Sequence, residues 1–299
     1  MDNFYMWMVA LRTKFRAYWP LVKGLQTGLL VSTGLGGYMS ARCPIHDWET
    51  LTGLLISLVA SISGSTILNM WWDRDIDAIM PRTLNRPLAS GQIQPGEALW
   101  VGVALSLFGV GIAALMSPLF GLIIFAGVFF DVVVYTIWLK RRTCWSIIIG
   151  GLAGGMPILA GRVLGVGAID WVGILLCLSI LFWIPTHIMT FSMKYHADYK
   201  AAGVPTFPST YGFPTTRVLV AFSSVLAALS IGIAAYGVGM TWGYLRVLIV
   251  LSTGLFALAA SSLLRPSERT NFGLFKYASL YMLSSMLLMV IFGVLDVTT

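Results

Sequence analysis

Long apolar stretches alternate with short polar ones along almost the whole chain. Each is roughly 18–23 residues long, the length a helix needs to cross a bilayer. Nine such stretches fall near residues 18–40, 51–72, 98–116, 120–138, 146–164, 171–193, 217–238, 244–264 and 276–295. Ser117-Pro118 alone separates the third from the fourth, the narrowest break in the series. The pattern predicts an all-α integral membrane protein, with nine transmembrane helices and residues 1–299 forming one polytopic domain.

Composition agrees with that class. Of 299 residues, 58% are hydrophobic and 10% charged, with a mean hydropathy of +0.84, whereas a soluble domain carries about 25% charged residues. The formal net charge of +7 raises nucleic acid as a partner, but the placement of the basic residues excludes it. If the N-terminus is inside, Arg12, Lys14, Arg16 and Lys23 are inside, as are Arg74, Arg82, Arg86, Lys140, Arg141 and Arg142. Lys194, Lys200, Arg217, Arg265, Arg269 and Lys276 follow on the same side, leaving Arg42, Arg162 and Arg246 outside. This asymmetry is the positive-inside rule. It predicts a protein of the cell (cytoplasmic) membrane with its N-terminus inside and its C-terminus outside. Cys43, Cys144 and Cys177 show no metal-binding or disulfide spacing, and Cys177 reads as a small core residue. The first twenty residues lack the layout of a cleavable signal peptide.

Three of the inner segments carry chemistry. The first, residues 69–91, begins where an apolar helix ends. Asn69, Asp73 and Asp77 are spaced four apart, so a helix stacks them along one face. Two acids at that spacing repel unless a cation neutralises them, and two carboxylates with an amide are hard oxygen ligands suited to Mg²⁺. Arg82 and Arg86 follow, with guanidinium forks that match phosphate oxygens. An acidic ridge beside two arginines at a membrane surface points to a diphosphate whose organic tail lies in lipid. Asp75 faces elsewhere and is expected to pair with a local arginine.

The second segment, residues 183–212, occupies the equivalent place four spans later. Lys194 and Asp198 are four apart there, a face with phosphate-binding character. His187 lies about two turns earlier on the helix. It is either a hydrogen-bonded core residue or an ionisable group facing a cavity, and both readings stay open. His196 is expected to be solvated. The third segment, Tyr135 to Thr143, contains Lys140, Arg141 and Arg142, which serve at least in part as an interfacial anchor. Asp131, one turn before Tyr135, pairs with a cation or lines a cavity. Gly150, Gly151, Gly154 and Gly155, with Pro157 after them, favour tight helix packing over room for a flat substrate.

Asn69-x₃-Asp73-x₂-Ile76-Asp77-x₂-Met80-x-Arg82-Thr83-x₂-Arg86-x₄-Gly91 resembles the signature of the UbiA superfamily of intramembrane aromatic prenyltransferases. Tyr-Thr-Ile-Trp-Leu-Lys-Arg-Arg-Thr, Ile-Ile-Gly-Gly-Leu-Ala-Gly and Lys194-Tyr195-x₂-Asp198-Tyr199-x₂-Ala202-Gly203 are similar, within it, to the protoheme IX farnesyltransferases. The likeness runs from the second span to the seventh. It implies a UbiA-type bundle around a central cavity open to lipid, pseudo-repeated so that its two motifs meet at one end. It implies Mg²⁺-dependent transfer of a farnesyl group from farnesyl diphosphate to a vinyl group of protohaem IX (haem b), giving haem O. Asn69, Asp73 and Asp77 would then hold the metal, and Asp73, Asp77, Lys194 and Asp198 would act in catalysis, Asp198 through a second metal or by orienting Lys194. Arg82, Arg86, Tyr135, Lys140, His187 and Tyr195 would contact substrates. The partners implied are a prenyl diphosphate, haem b and the lipid bilayer, with no nucleic acid.

An acceptor such as a quinone precursor or a prenylated glycerol phosphate is the alternative within the same chemistry. A CDP-alcohol phosphotransferase needs Asp-Gly and Ala-Arg dipeptides between its acids, and they are absent there. A transporter site belongs near the bilayer midplane, whereas most acids here gather at one surface.

Overall fold

The computed structural model describes residues 18–41 and 47–295. Arg12, Lys14, Arg16, Arg42 and Cys43, used above for orientation and cysteine pairing, lie outside the described residues. Helix α1 spans Gly24–Met39, α2 Trp48–Trp72, α3 Arg74–Ile79, α4 Pro95–Met116 and α5 Pro118–Phe129, which continues as a π-helix over Phe130–Leu139. Helix α6 spans Ser146–Val166, α7 Trp171–Lys194, α8 His196–Ala201, α9 Phe207–Val238, α10 Trp242–Leu264 and α11 Glu268–Leu295.

Among the described residues, eight helices are long and apolar enough to cross a membrane. The first of the nine expected spans is the exception. Helix α1 has 16 residues, residues 18–22 before it are also helical, and Lys23 between them takes a left-handed conformation (φ 48°, ψ 56°). That span is therefore a helix interrupted at Lys23. The break at Ser117-Pro118 is real: Ser117 is extended, and Pro118 occupies the first turn of α5, where its missing N–H costs nothing. Helix α9 starts at Phe207, not near 217 as the pattern predicts. Thr206 and Ser209 form a reciprocal capping box there, and Gly212 (φ 78°, ψ 167°) is non-helical, a kink that parts this first short turn from the long helix after it.

Lipid gives apolar helices no hydrophobic reason to associate, so close contact between small residues must hold them. Helix α2 packs on α4, α1 on α6, α6 on α7 and α7 on α9. A Cβ at Gly64 of α2 would stand 2.4 Å from the Ser106 hydroxyl of α4. Between α1 and α6 the backbones nearly touch: a Cβ at Gly161 would stand 2.0 Å from the Gly34 carbonyl oxygen. At the end of that seam the buried Arg162 donates to the Ser40 carbonyl and clasps Asp170, with Nη2 to Oδ2 at 2.6 Å. Burial pushes the Asp170 carboxyl up, but the Arg162 hydrogen bonds more than offset this and hold it below the usual range. Large apolar side chains such as Leu25 and Leu115 stand 91% and 90% exposed on the outside, as a lipid-facing surface requires.

Gly161→Ala must push two backbones apart, and overpacking of this kind costs about 1–3 kcal/mol. Gly232, with nothing within 4 Å of its would-be Cβ, is the control. In detergent micelles, Gly161→Ala is expected to lower the thermal unfolding midpoint by several degrees while Gly232→Ala leaves it in place. Equal midpoints would contradict the packing described.

Candidate active site

Helix α2 ends at Trp72 and α3 begins at Arg74, yet the helical hydrogen bonds run through the junction. Asp73 N–H donates to the Asn69 carbonyl (3.0 Å) and Asp77 N–H to the Asp73 carbonyl (2.8 Å). Asn69, Asp73 and Asp77 therefore stay stacked on one ridge. Both carboxylates are buried, at 2% and 5% exposure. Buried like charges need partners, and distant parts of the chain supply them. Lys140 Nζ bonds Asp73 Oδ2, with Arg141 at 3.9 Å from the other oxygen. Arg86 Nη1 reaches both Asp77 oxygens at 2.8 and 2.7 Å. The loop after α3 is folded to make this reach: the Thr83 hydroxyl donates to the Asp77 carbonyl (3.0 Å) and Arg86 N–H to the Thr83 carbonyl (2.9 Å). One acceptor remains unmet, because Asp73 Oδ1 is buried without a hydrogen bond.

The π-helix puts Lys140 in place. Nine positions separate Asp131 from Lys140, which is two and a half turns of an α-helix and sets them on opposite sides. Hydrogen bonds from i to i+5, such as Lys140 N–H to the Tyr135 carbonyl (2.8 Å), widen each turn to between four and five residues, so nine make about two turns. Asp131, Tyr135 and Lys140 then share one ridge. Burial disfavours the Lys140 ammonium, but the Tyr135 oxygen and the Asp73 carboxylate outweigh it and hold its pKa above the ordinary lysine value.

The second motif meets the first from the side. Ile76, Met80 and Val204 form an apolar cluster capped by Tyr199 and Ala202. The Arg82 guanidinium lies over Phe191 and Tyr195, at 5.0 and 5.3 Å from their centroids. Helix α7 gives way to α8 at Tyr195 (φ −103°, ψ 29°), and, as at Asp73, the helical hydrogen bonds cross the junction: Tyr195 N–H donates to the Phe191 carbonyl (3.1 Å) and Tyr199 N–H to the Tyr195 carbonyl (3.2 Å). The Lys194 ammonium lies 3.4 Å from the Phe272 centroid. Among the described residues neither Arg82 nor Lys194 has a carboxylate partner, so both cations are available to an anion. His196, expected to be solvated, is half-buried edge-on against Phe213.

Beneath this charged end lies a cavity of about 310 Å³. Asn69, Tyr135 and Lys23 line it, with Asp131 and His187 among mostly apolar neighbours. Lys23 is within electrostatic reach of Arg86, Lys140, Asp131 and Asp77. The glycines of α6 serve both readings of them: Gly150 and Gly154 line the cavity, while Gly155 leaves room for Cys177. His187 is sandwiched between Trp183 (4.7 Å) and Phe275 (4.5 Å), and its Nδ1 lies 3.0 Å from Ser279 Oγ. That hydroxyl has one hydrogen and also bonds the Phe275 carbonyl at 3.2 Å. That proton goes to the carbonyl when His187 Nδ1 carries the ring hydrogen, and to Nδ1 in the other tautomer. In the first of these tautomers Nε2 keeps its lone pair.

Sequence reasoning missed two features. Asp75 pairs with Arg141, not with a local arginine, through a two-pronged contact at 2.7 Å on each prong. That fork holds the Asp75 carboxyl below its usual range. The π-helical register of Asp131, Tyr135 and Lys140 leaves no trace in hydrophobic periodicity, though a lone acid and a lysine nine apart in one apolar run were the available hint.

The residues fit a magnesium ion. A buried carboxylate oxygen without a donor, next to an amide and a second acid, is an incomplete oxygen shell. Among the described residues there is no group of three His, Cys, Asp or Glu that would hold a metal alone. Phosphate oxygens would have to complete the shell, as Mg²⁺ sites commonly require.

A profile of the UbiA prenyltransferase family matches residues 29–288. The chain is 42% identical over 229 residues to the protoheme IX farnesyltransferase of Archaeoglobus fulgidus, covering 74% of this chain and 80% of that one. It is 37% identical over 281 residues to the protoheme IX farnesyltransferase of Cereibacter sphaeroides, covering 90% and 89%. The solved structure of a digeranylgeranylglyceryl phosphate synthase superposes with a TM-score of 0.77 at 21% identity, over 94% of this chain and 99% of that one. A UbiA homologue from Archaeoglobus fulgidus bound to GPP and Mg²⁺ gives 0.68 at 17% identity, over 92% and 99%. At these identities the structural likeness speaks to the fold alone.

Lys140→Ala strands Asp73 and is expected to cost about 3–5 kcal/mol of stability. Asp75→Ala breaks an exposed pair and is expected to cost less than about 1 kcal/mol. The small contribution of Asp75 is present above the unfolded-state carboxyl pKa and fades as pH falls through its lowered folded value. Denaturation of both variants checks this, and equal losses would contradict the distinction between the two acids.

Proposed function

The chain belongs to the UbiA prenyltransferase family, and from that premise we propose that it transfers a farnesyl group from farnesyl diphosphate to a vinyl group of protohaem IX, giving haem O. Two relatives at 42% and 37% identity bear the name of that activity. The observation that carries the reading is the bare, buried Asp73 Oδ1, on an oxygen-bearing ridge at the charged end of an apolar cavity.

Asn69, Asp73 and Asp77 would hold Mg²⁺, which when bound supplies positive charge to the departing diphosphate. Arg82 and Lys194, free of carboxylates among the described residues, would grip the phosphate oxygens, with Tyr195 holding Arg82 in position. Arg86 and Lys140 keep the two acids in register and add to the field that meets charge developing on the leaving group. Asp198, four residues beyond Lys194, would bind a second metal or orient Lys194. The farnesyl chain would lie in the cavity along Tyr135, where apolar walls exclude the water that otherwise captures an allylic cation. The ring edge of His187, with Nε2 unprotonated, would face the acceptor and suits a porphyrin iron. The charged end would face the cytoplasm, where prenyl diphosphates are soluble.

Purified protein supplied with farnesyl diphosphate and haem is expected to form haem O with Mg²⁺ and not after chelation, read by mass spectrometry of the extracted haem. Asp73→Ala and Asp77→Ala are each expected to lower turnover about a hundredfold or more, the scale on which transition-state charge stabilisation is lost. Full activity in either variant would remove the metal role. His187→Ala is expected to weaken haem binding and to change the spectrum of the bound haem while leaving affinity for farnesyl diphosphate intact.

A further inference from the structure

Among the described residues that line the cavity, Asp131 is the sole carboxylate. It does not pair with a cation in the way Asp73 and Asp77 do. Its Oδ2 takes the hydroxyl proton of Ser65, which also lines the cavity. The charged groups that act on it are Lys23 from the break before α1, Lys140 on its own ridge and Asp73 from the end of α2. A carboxylate in a mostly apolar cavity costs free energy and needs a purpose. The π-helix sets that purpose geometrically, since it stacks Asp131 beneath Tyr135 and Lys140. Lys140 in turn bonds the acid that would hold the diphosphate. Asp131 thus sits below the diphosphate site, where C1 of the prenyl chain and the carbon it attacks must come together.

The reaction proposed above needs a group of this kind. The C1–O bond breaks and its electron pair leaves with diphosphate. The vinyl π pair then forms the new bond to C1, which leaves a cation on the vinyl carbon next to the porphyrin ring. Water adds its lone pair to that carbon, and the added water must lose one proton for the hydroxyl group to remain. We propose that Asp131 is a catalytic residue that positions this water and accepts its proton, with Ser65 fixing the carboxylate so that its second oxygen, Oδ1, faces the cavity. The negative charge also stabilises the cation until the water arrives. This inference rests on the haem reading of the same site.

The test follows single turnover of farnesyl diphosphate with haem, measuring pyrophosphate release and the mass of the haem product separately. Asp131→Asn is expected to release pyrophosphate while the hydroxylated product falls about a hundredfold, at the lower end of general-base effects. The cation would then lose a proton from the neighbouring CH₂ to the released diphosphate, and farnesylated haem lacking one water would accumulate. Asp131→Glu is expected to restore part of the hydroxylated product. Ser65→Ala, which keeps the acid but frees it to rotate, is expected to give a mixture of both. Hydroxylated product in wild-type proportion from Asp131→Asn overturns the proposal, and so does loss of pyrophosphate release in that variant. If the wild-type protein releases pyrophosphate but farnesylates a different acceptor, the haem reading itself has failed and this role falls with it.

Discussion

Two carboxylates buried one helical turn apart, Asp73 and Asp77, are the constraint that organises the charged end of this protein. They repel each other and are shielded from water, so the fold must bring cations to them from elsewhere. Lys140 arrives from the end of α5, which is widened into π form over its last ten residues. Arg86 arrives by a loop that doubles back on the Asp77 carbonyl. Neither partner fully satisfies the pair, since one Asp73 oxygen has no donor. A ridge that is neutralised but not saturated is suited to take and release a doubly charged ion with each substrate.

The same constraint explains why the second motif leans on the first. Arg82 is spent on neither acid and stacks on Phe191 and Tyr195, while Lys194 stacks on Phe272. Aromatic faces hold these cations in place at modest cost and leave their N–H groups free for phosphate. The apolar cavity beneath then separates two tasks. Charge is handled at one end, and carbon chemistry proceeds in a mostly apolar space that, among the described residues, carries a single acid.

Much of this was legible in the chain. Helix lengths follow from apolar runs because lipid permits little else, and the ridge of Asn69, Asp73 and Asp77 follows from spacing because the helical hydrogen bonds persist through the junction at Asp73. Spacing failed where the backbone left α geometry. Asp131 and Lys140 are out of phase by α-helical counting, yet the π stretch aligns them. Long-range pairs such as Arg141 with Asp75, and the left-handed interruption at Lys23, depend on neighbours that a single sequence does not reveal. These misses gather around the cavity, where local regularity yields to the geometry of the site.

The most direct test is a structure determined with Mn²⁺ in place of Mg²⁺ and a non-hydrolysable thio analogue of farnesyl diphosphate, read by the anomalous signal of the metal. The account predicts a metal at roughly 2.0–2.2 Å from an Asp73 oxygen, the spacing of hard oxygen ligands. Asp77 and Asn69 would complete its protein ligands, with the diphosphate between it and Arg82 and the prenyl chain running down the cavity past Tyr135. A metal bound away from that ridge, or a prenyl chain lying outside the cavity, would contradict it.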